Sequence, residues 1–152
     1  MTKRAVAATP SDSPVWERIT PHLAKELTDA RGSFQVYLPT PNVCLTRARG
    51  YLSLEFARLI PEVLDPHLAE GHSVALFYDW ENMINYEAES RRMLTNWGIA
   101  NVKKLRSIDV LVASRIVALG IATASLAMKL IRLPVYAHPD RASFERALTN
   151  AL

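Results

Sequence analysis

Residues 73–79 read Ser-Val-Ala-Leu-Phe-Tyr-Asp, and from 74 to 78 the run is apolar apart from the Tyr78 hydroxyl. A run of this length that does not alternate with polar residues predicts a strand covered on both faces, as in a parallel sheet packed between helices. The strand is expected to end at Asp79. Working upstream, residues 33–38 and 43–49 are rich in β-branched and aromatic side chains and are separated by Pro39, Thr40, Pro41 and Asn42, which predicts a β-hairpin. Between hairpin and central strand, Phe56, Leu59, Ile60, Val63, Leu64 and Leu68 keep helical spacing, with Pro61 and Pro66 predicting a kinked or broken helix. Downstream come an amphipathic helix over 85–98, a buried strand over 108–112, an apolar helix over 115–130, a last strand over 133–137 and a closing helix over 140–152. Pro134 marks that last strand as a sheet edge. This order, β β α β α β α β α, predicts an α/β fold. Its mixed sheet holds about five strands, with an opening β-hairpin, about four packed helices and right-handed crossovers.

Three segments follow from this reading. Residues 1–14 are small and polar and are expected to form a flexible tail. Val15, Ile19, Leu23 and Leu27 recur every four residues, which predicts an N-terminal helix over 15–31, complicated by Pro21 and ended by Gly32. Residues 33–152 form the α/β domain.

Composition narrows the class. With 152 residues, 49% hydrophobic and 22% charged, the chain suits one globular core. The net charge of +3 raises the question of nucleic acid, but the basic residues are scattered. The densest group, Arg91, Arg92, Lys103, Lys104 and Arg106, is diluted by Glu87 and Glu89, and no aromatic residues interleave with it as a stacking surface requires. A nucleic-acid partner is not expected. The single cysteine, Cys44, lies between Val43 and Leu45, which predicts a buried thiol in a reducing compartment. The longest apolar run, 116–128, is interrupted by Thr123 and Ser125 and is too short to cross a bilayer, and no secretory signal is evident. The expected location is cytoplasmic, with no membrane span.

Chemistry-bearing residues are sparse. Asp79, Trp80, Glu81 and Asn82 follow the central strand and are expected to form the loop that enters the next helix, where open α/β sheets place ligand sites. With Tyr86 on that helix they are the candidate partner- or ligand-binding residues. The bland alternative is that the acids and Asn82 cap and Trp80 covers the core. The helix over 115–130 is apolar almost all the way round and must be covered on more than one side. Ile116, Leu119, Gly120 and Thr123 are its interface candidates. His22, His67, His72 and His138 share no HxxxH spacing, so no metal site is expected. Ser107 and Ser114 lack a nucleophile frame, and no glycine-rich phosphate loop follows any strand. Neither catalytic residues nor a cofactor is expected.

The tracts FYDWENMINYEAESRR (77–92), VLVASRIVALGIA (110–122) and YAHPDRASFERAL (136–148), with the element order, resemble the STAS superfamily, particularly its SpoIIAA-like branch. The resemblance covers residues 33–150. It implies a small, non-enzymatic regulatory module of the bacterial kind that docks a regulatory protein partner or itself as a homodimer. In the best-known members a serine at the start of the helix after the central strand is phosphorylated. Here no Ser or Thr precedes Ser90, which is expected well inside that helix, so the serine switch is not expected. Similarity of such domains to CRAL-TRIO lipid carriers implies a second function, a carrier or sensor of a small apolar ligand.

Overall fold

The structure, a computed structural model, describes residues 13–152. Strands β1 (Leu23–Asp29), β2 (Gly32–Thr40), β3 (Val43–Leu52), β4 (Val74–Tyr86), β5 (Leu105–Val112) and β6 (Val135–Ala137) lie side by side in chain order. The first three pair antiparallel, and β3 to β6 run parallel. Helices α1 (Pro14–Ile19), α2 (Leu54–Ala57), α3 (Leu59–Ala69), α4 (Ala88–Ala100), α5 (Arg115–Leu130) and α6 (Arg141–Ala151) cover the sheet.

Sequential parallel strands and right-handed crossovers together dictate where these helices go. When each strand is added on the same side of the last, every crossover lands on the same face. So α2, α3, α4 and α5 share one face, over a core that includes Val36, Leu76, Tyr78 and Trp80. The other face is left to the terminal helices. There α1 and α6 bring Trp16, Ile19, Phe144 and Leu148 onto Leu45, Ala75 and Phe77. Alternate residues of β4 thus enter opposite cores, which is why 74–78 reads as an unbroken apolar run.

The predicted α/β fold, hairpin and broken helix are present. The break falls at Arg58, between α2 and α3, and Pro66 is retained inside α3. Two expectations are corrected. The N-terminal helix does not extend over 15–31: α1 stops at Ile19, Thr20–His22 is a 3₁₀ turn, and 23–29 is the edge strand β1, which brings the sheet to six strands. A four-residue repeat of apolar residues fits a helix face, but four is also an even number and equally fits the alternation of a strand. In β1 a register shift between Leu23 and Lys25 sets Leu23 opposite Tyr37 and Leu27 opposite Phe34, on the two faces of the sheet. The turn Asp29–Gly32 settles the choice, because Asp29 Oδ1 accepts from the backbone N–H groups of Arg31 (2.7 Å) and Gly32 (3.1 Å).

The second correction concerns β4, which runs on past Asp79 to Tyr86. Residues 79–82 are strand and not loop, and α4 starts at Ala88. The longer strand slips register twice against β3, at Arg47/Arg49 and Gly50/Tyr51, each time accommodating one extra β4 residue. Of the expected tail over 1–14, residues 1–12 lie outside the described residues.

Candidate functional site

The polar half of β4 is held by α6. Asp79, with its side chain 2% exposed, receives two hydrogen bonds from the Arg141 guanidinium, at 2.8 and 3.2 Å. Arg141 also donates to Glu81 Oε1 at 3.2 and 3.4 Å and lies 4.0 Å from Glu145. Burial alone depresses the Arg141 pKa, but the hydrogen bond and charge of Asp79, with those of Glu81, outweigh it and leave the pKa raised. Arg47 sits 3.9 Å from Asp79 with its guanidinium over the Trp16 ring, and burial lowers its pKa against the pull of Asp79. Both carboxylates are therefore committed to one arginine. The cluster locks α6 to the middle of the sheet.

Trp80 faces the opposite core. It is 4% exposed, stacks parallel on Tyr78 at 4.3 Å and donates its indole N–H to Thr46 Oγ1 at 2.9 Å. Its role is the bland one, coverage of the core. Asn82 is exposed, with Ile84 (67% exposed) two residues on. Cys44 is buried as expected, and burial pushes its thiol up to about 12. Ser90 is the third residue of α4 and not well inside it, because the helix begins later than expected. Yet its hydroxyl is fully buried and donates to the Leu52 carbonyl at 3.1 Å. A kinase has no access to it in this conformation.

The apolar helix α5 is covered on one side only. Ser114 caps it, accepting from the Val117 N–H at 3.4 Å while donating to the Ile84 carbonyl at 3.2 Å. Val117, Gly120 and Met128 are buried against the sheet and α4. Gly120 is an inward contact and not an interface residue: a Cβ there would lie 2.5 Å from the Tyr86 hydroxyl oxygen. The opposite face carries Ile116, Leu119, Leu126 and Leu130, which are 54%, 70%, 69% and 86% exposed. Thr123 completes that row. Its hydroxyl donates to the Leu119 carbonyl at 2.9 Å, so its polar group is spent within the helix. Positions 116, 119, 123, 126 and 130 follow the 3-4-3-4 spacing of a helix seam made to pack against another helix.

Between α4, α5 and β4 lies a small apolar cavity of about 70 Å³, lined by Leu52, Trp80, Tyr86, Leu94, Val117 and Ile121 among others. Tyr86 is thus a wall residue beside α5. Of the predicted site residues, the structure gathers Asp79 and Glu81 on Arg141, turns Trp80 and Gly120 inward, and leaves Ile116, Leu119 and Thr123 on one outer stripe.

One polar chain went unnoticed in the sequence. His138 Nε2 donates to Asp109 Oδ1 at 2.7 Å, and Nδ1 accepts from the Ser143 hydroxyl at 2.8 Å, the tautomer that satisfies both partners. The spacings of 29 and 5 residues leave no local signal. The set pins the end of β6 and the first turn of α6 to β5. Neither the apolar cavity nor a groove between α1 and α6, bordered by Pro14, Ala142 and Glu145, is lined by any of these three side chains.

No family model matches the chain, and no curated protein is similar to it. Among solved structures it is similar to an uncharacterized protein of the DUF3478 family from Shewanella loihica PV-4, described as having a SpoIIAA-like fold. The two share 11% identity at a TM-score of 0.60, over 80% of this chain and 98% of the other. The fold is SpoIIAA-like. Among the described residues no helix is long and apolar enough to cross a membrane.

Proposed function

We propose that this SpoIIAA-like domain is a non-enzymatic, cytoplasmic regulatory module that binds a partner protein along the outer face of α5. The observation that carries the reading is the row Ile116, Leu119, Thr123, Leu126 and Leu130, which leaves four large aliphatic side chains more than half exposed on one helix. A contiguous apolar surface of this kind on a soluble domain marks an interaction site. Its spacing suits a partner helix, and its charge suits an acidic one. From residue 113 to 139 the chain carries Arg115, Lys129 and Arg132 and no Asp or Glu. A second copy would bring these cations together end to end, whereas an amphipathic helix with flanking carboxylates would neutralise them.

Two further features support a binding module over an enzyme. Asp79 and Glu81 are both engaged by Arg141, and Ser90, the first serine after the central strand, has its hydroxyl buried on the Leu52 carbonyl, which suits docking without a serine switch. The ligand-carrier reading has less behind it: the apolar cavity between helices and sheet, at about 70 Å³, is well short of the roughly 300 Å³ at which drug-sized ligands begin to fit. The larger groove of about 370 Å³ between α1 and α6 is bordered by the polar side chains of Glu145, Arg146, Thr149 and Asn150.

Light scattering on the purified chain is expected to give a monomer. Crosslinking in cells from a photoreactive residue at Ala122 is then expected to capture one protein, with a yield at least about tenfold lower for Leu119→Glu/Leu126→Glu and unchanged for Glu81→Ala. Capture that survives the double substitution overturns the assignment. A dimer that the double substitution dissolves replaces the acidic partner by a second copy.

A further inference from the structure

We propose that His67, Glu70 and His72 form a zinc-binding site at the corner where α3 ends and β4 begins. In sequence the three show no familiar spacing; the turn after the helix assembles them. Glu70 is the last residue in helical conformation, and Gly71, at φ +96°, reverses the chain so that His72 folds back beside the last turn of α3. The two imidazoles stack at 4.2 Å with their planes 16° apart. His72 Nε2 lies 3.6 Å from Glu70 Oε2, and one donor atom from each of the three residues lies within 4.8 Å of the other two.

The environment of His67 points to a ligand as well. Its Nε2 is 2.6 Å from the backbone carbonyl of Pro41, in the turn between β2 and β3. A carbonyl only accepts, so Nε2 carries the hydrogen and the neutral ring keeps its lone pair on Nδ1. This is the outer-shell arrangement that fixes the tautomer and orientation of metal-binding histidines. The frame behind it is braced too. Asn42 donates its side-chain amide to the Ser73 carbonyl at 2.9 Å, and the Ala75 N–H donates to the Asn42 carbonyl at 2.8 Å. The β2–β3 turn is thereby held against the start of β4.

Two imidazole nitrogens and one carboxylate oxygen are the donor set of a borderline cation and match three-ligand zinc sites that leave a fourth position to water. Calcium and magnesium, which require six or more oxygens, do not fit. Zinc bonds of roughly 2.0–2.2 Å demand donor atoms closer than they now lie, so the side chains must swing inward by about 1 Å. Glu70 and His72, with side chains 68% and 34% exposed, have the freedom to do so while His67 stays anchored. Bound zinc would clasp the end of α3 to the segment that leads into β4, beside the β2–β3 turn that holds His67, away from α5 and independent of the docking reading.

Calorimetric titration of the untagged full-length chain with Zn²⁺ at neutral pH is expected to give one site of micromolar affinity, with no heat from Mg²⁺ or Ca²⁺. Co²⁺ is expected to produce visible absorption bands with the same stoichiometry. His72→Ala, at a partly exposed position, is expected to fold normally and to weaken zinc binding at least about tenfold, as is Glu70→Ala. His22→Ala and His138→Ala should bind as the wild type does. Zinc should also raise the melting temperature of the wild type and not of His72→Ala. Absence of binding up to about 100 μM Zn²⁺, or binding undiminished in a folded His72→Ala protein, overturns the site.

Discussion

Helices α5 and α6 close the same sheet on opposite faces, and they are finished to different degrees. On α6, Phe144 and Leu148 are buried against Phe77 and Leu45, and the residues left outside are Ala142, Arg146, Thr149, Asn150 and Ala151. Its first turn is also fixed by charge, through Arg141 on Asp79. On α5 the buried residues are Val117, Gly120 and Met128, and the outside holds Ile116, Leu119, Leu126 and Leu130. The monomer therefore covers every large apolar side chain of α6, whereas on α5 it covers Val117, Ile121 and Met128 and leaves Ile116, Leu119, Leu126 and Leu130 outside. An amphipathic helix whose apolar stripe faces the core is fully explained by folding. A helix with a second apolar stripe is explained only by something outside the fold.

The sharpest way to break this contrast is to remove one aliphatic or aromatic group from each helix. Phe144→Ala empties a fully buried site packed edge-on against Phe77 and His138, and is expected to cost about 3–5 kcal/mol in urea unfolding. Leu126→Ala, on the outer stripe, is expected to change stability by no more than about 0.5 kcal/mol. A loss of about 2 kcal/mol or more at Leu126, the lower bound for a core leucine, would mean that the stripe is already covered within the monomer.

The electrostatic half of the contrast predicts a somewhat smaller effect. Arg141→Met strips the bidentate partner from a carboxylate that is 2% exposed and leaves it only Arg47 at 3.9 Å. Breaking one side of a buried pair costs about 3–5 kcal/mol, and since Arg141 is itself about one-fifth exposed we place the loss near the lower end, about 3 kcal/mol. Asp79→Asn should cost less, because Arg141 keeps Glu81. The order of the two denaturation midpoints, Arg141→Met below Asp79→Asn, is the checkable result.

The same contrast explains what the sequence disclosed. Residues 74–78, the hairpin and the closing helix were legible because their local pattern and their tertiary environment agree. The apolar girth of α5 was legible too, and with it the need for cover on more than one side; which side the monomer leaves open was not. Where reading failed, the deciding partner was distant or the spacing ambiguous. Asp79, Glu81 and Asn82 are poor strand residues, and the Arg141 that neutralises the two acids lies some sixty positions away. Leu23 and Leu27 fit two periods at once. His67 and His72 meet only because Gly71 turns the chain back, which no helical or strand template anticipates.

The inner side of α5 offers the finest test, because there two small effects of opposite sign compete at one position. Gly120 sits in the middle of the helix, where alanine is normally favoured by about 1 kcal/mol. The Tyr86 ring occupies the space a Cβ would take, at 2.5 to 2.9 Å. Relieving such an overlap in packed surroundings costs about 1–3 kcal/mol, so Gly120→Ala is expected to be destabilising by about 1 kcal/mol net in the wild-type background. In a Tyr86→Ala background the obstruction is gone, and the same substitution should stabilise by about 1 kcal/mol. Thermal unfolding of the four proteins of this cycle measures the difference. A destabilisation of equal size in both backgrounds would mean that Gly120 serves some contact other than Tyr86, and that the inner packing of α5 is set elsewhere along the helix.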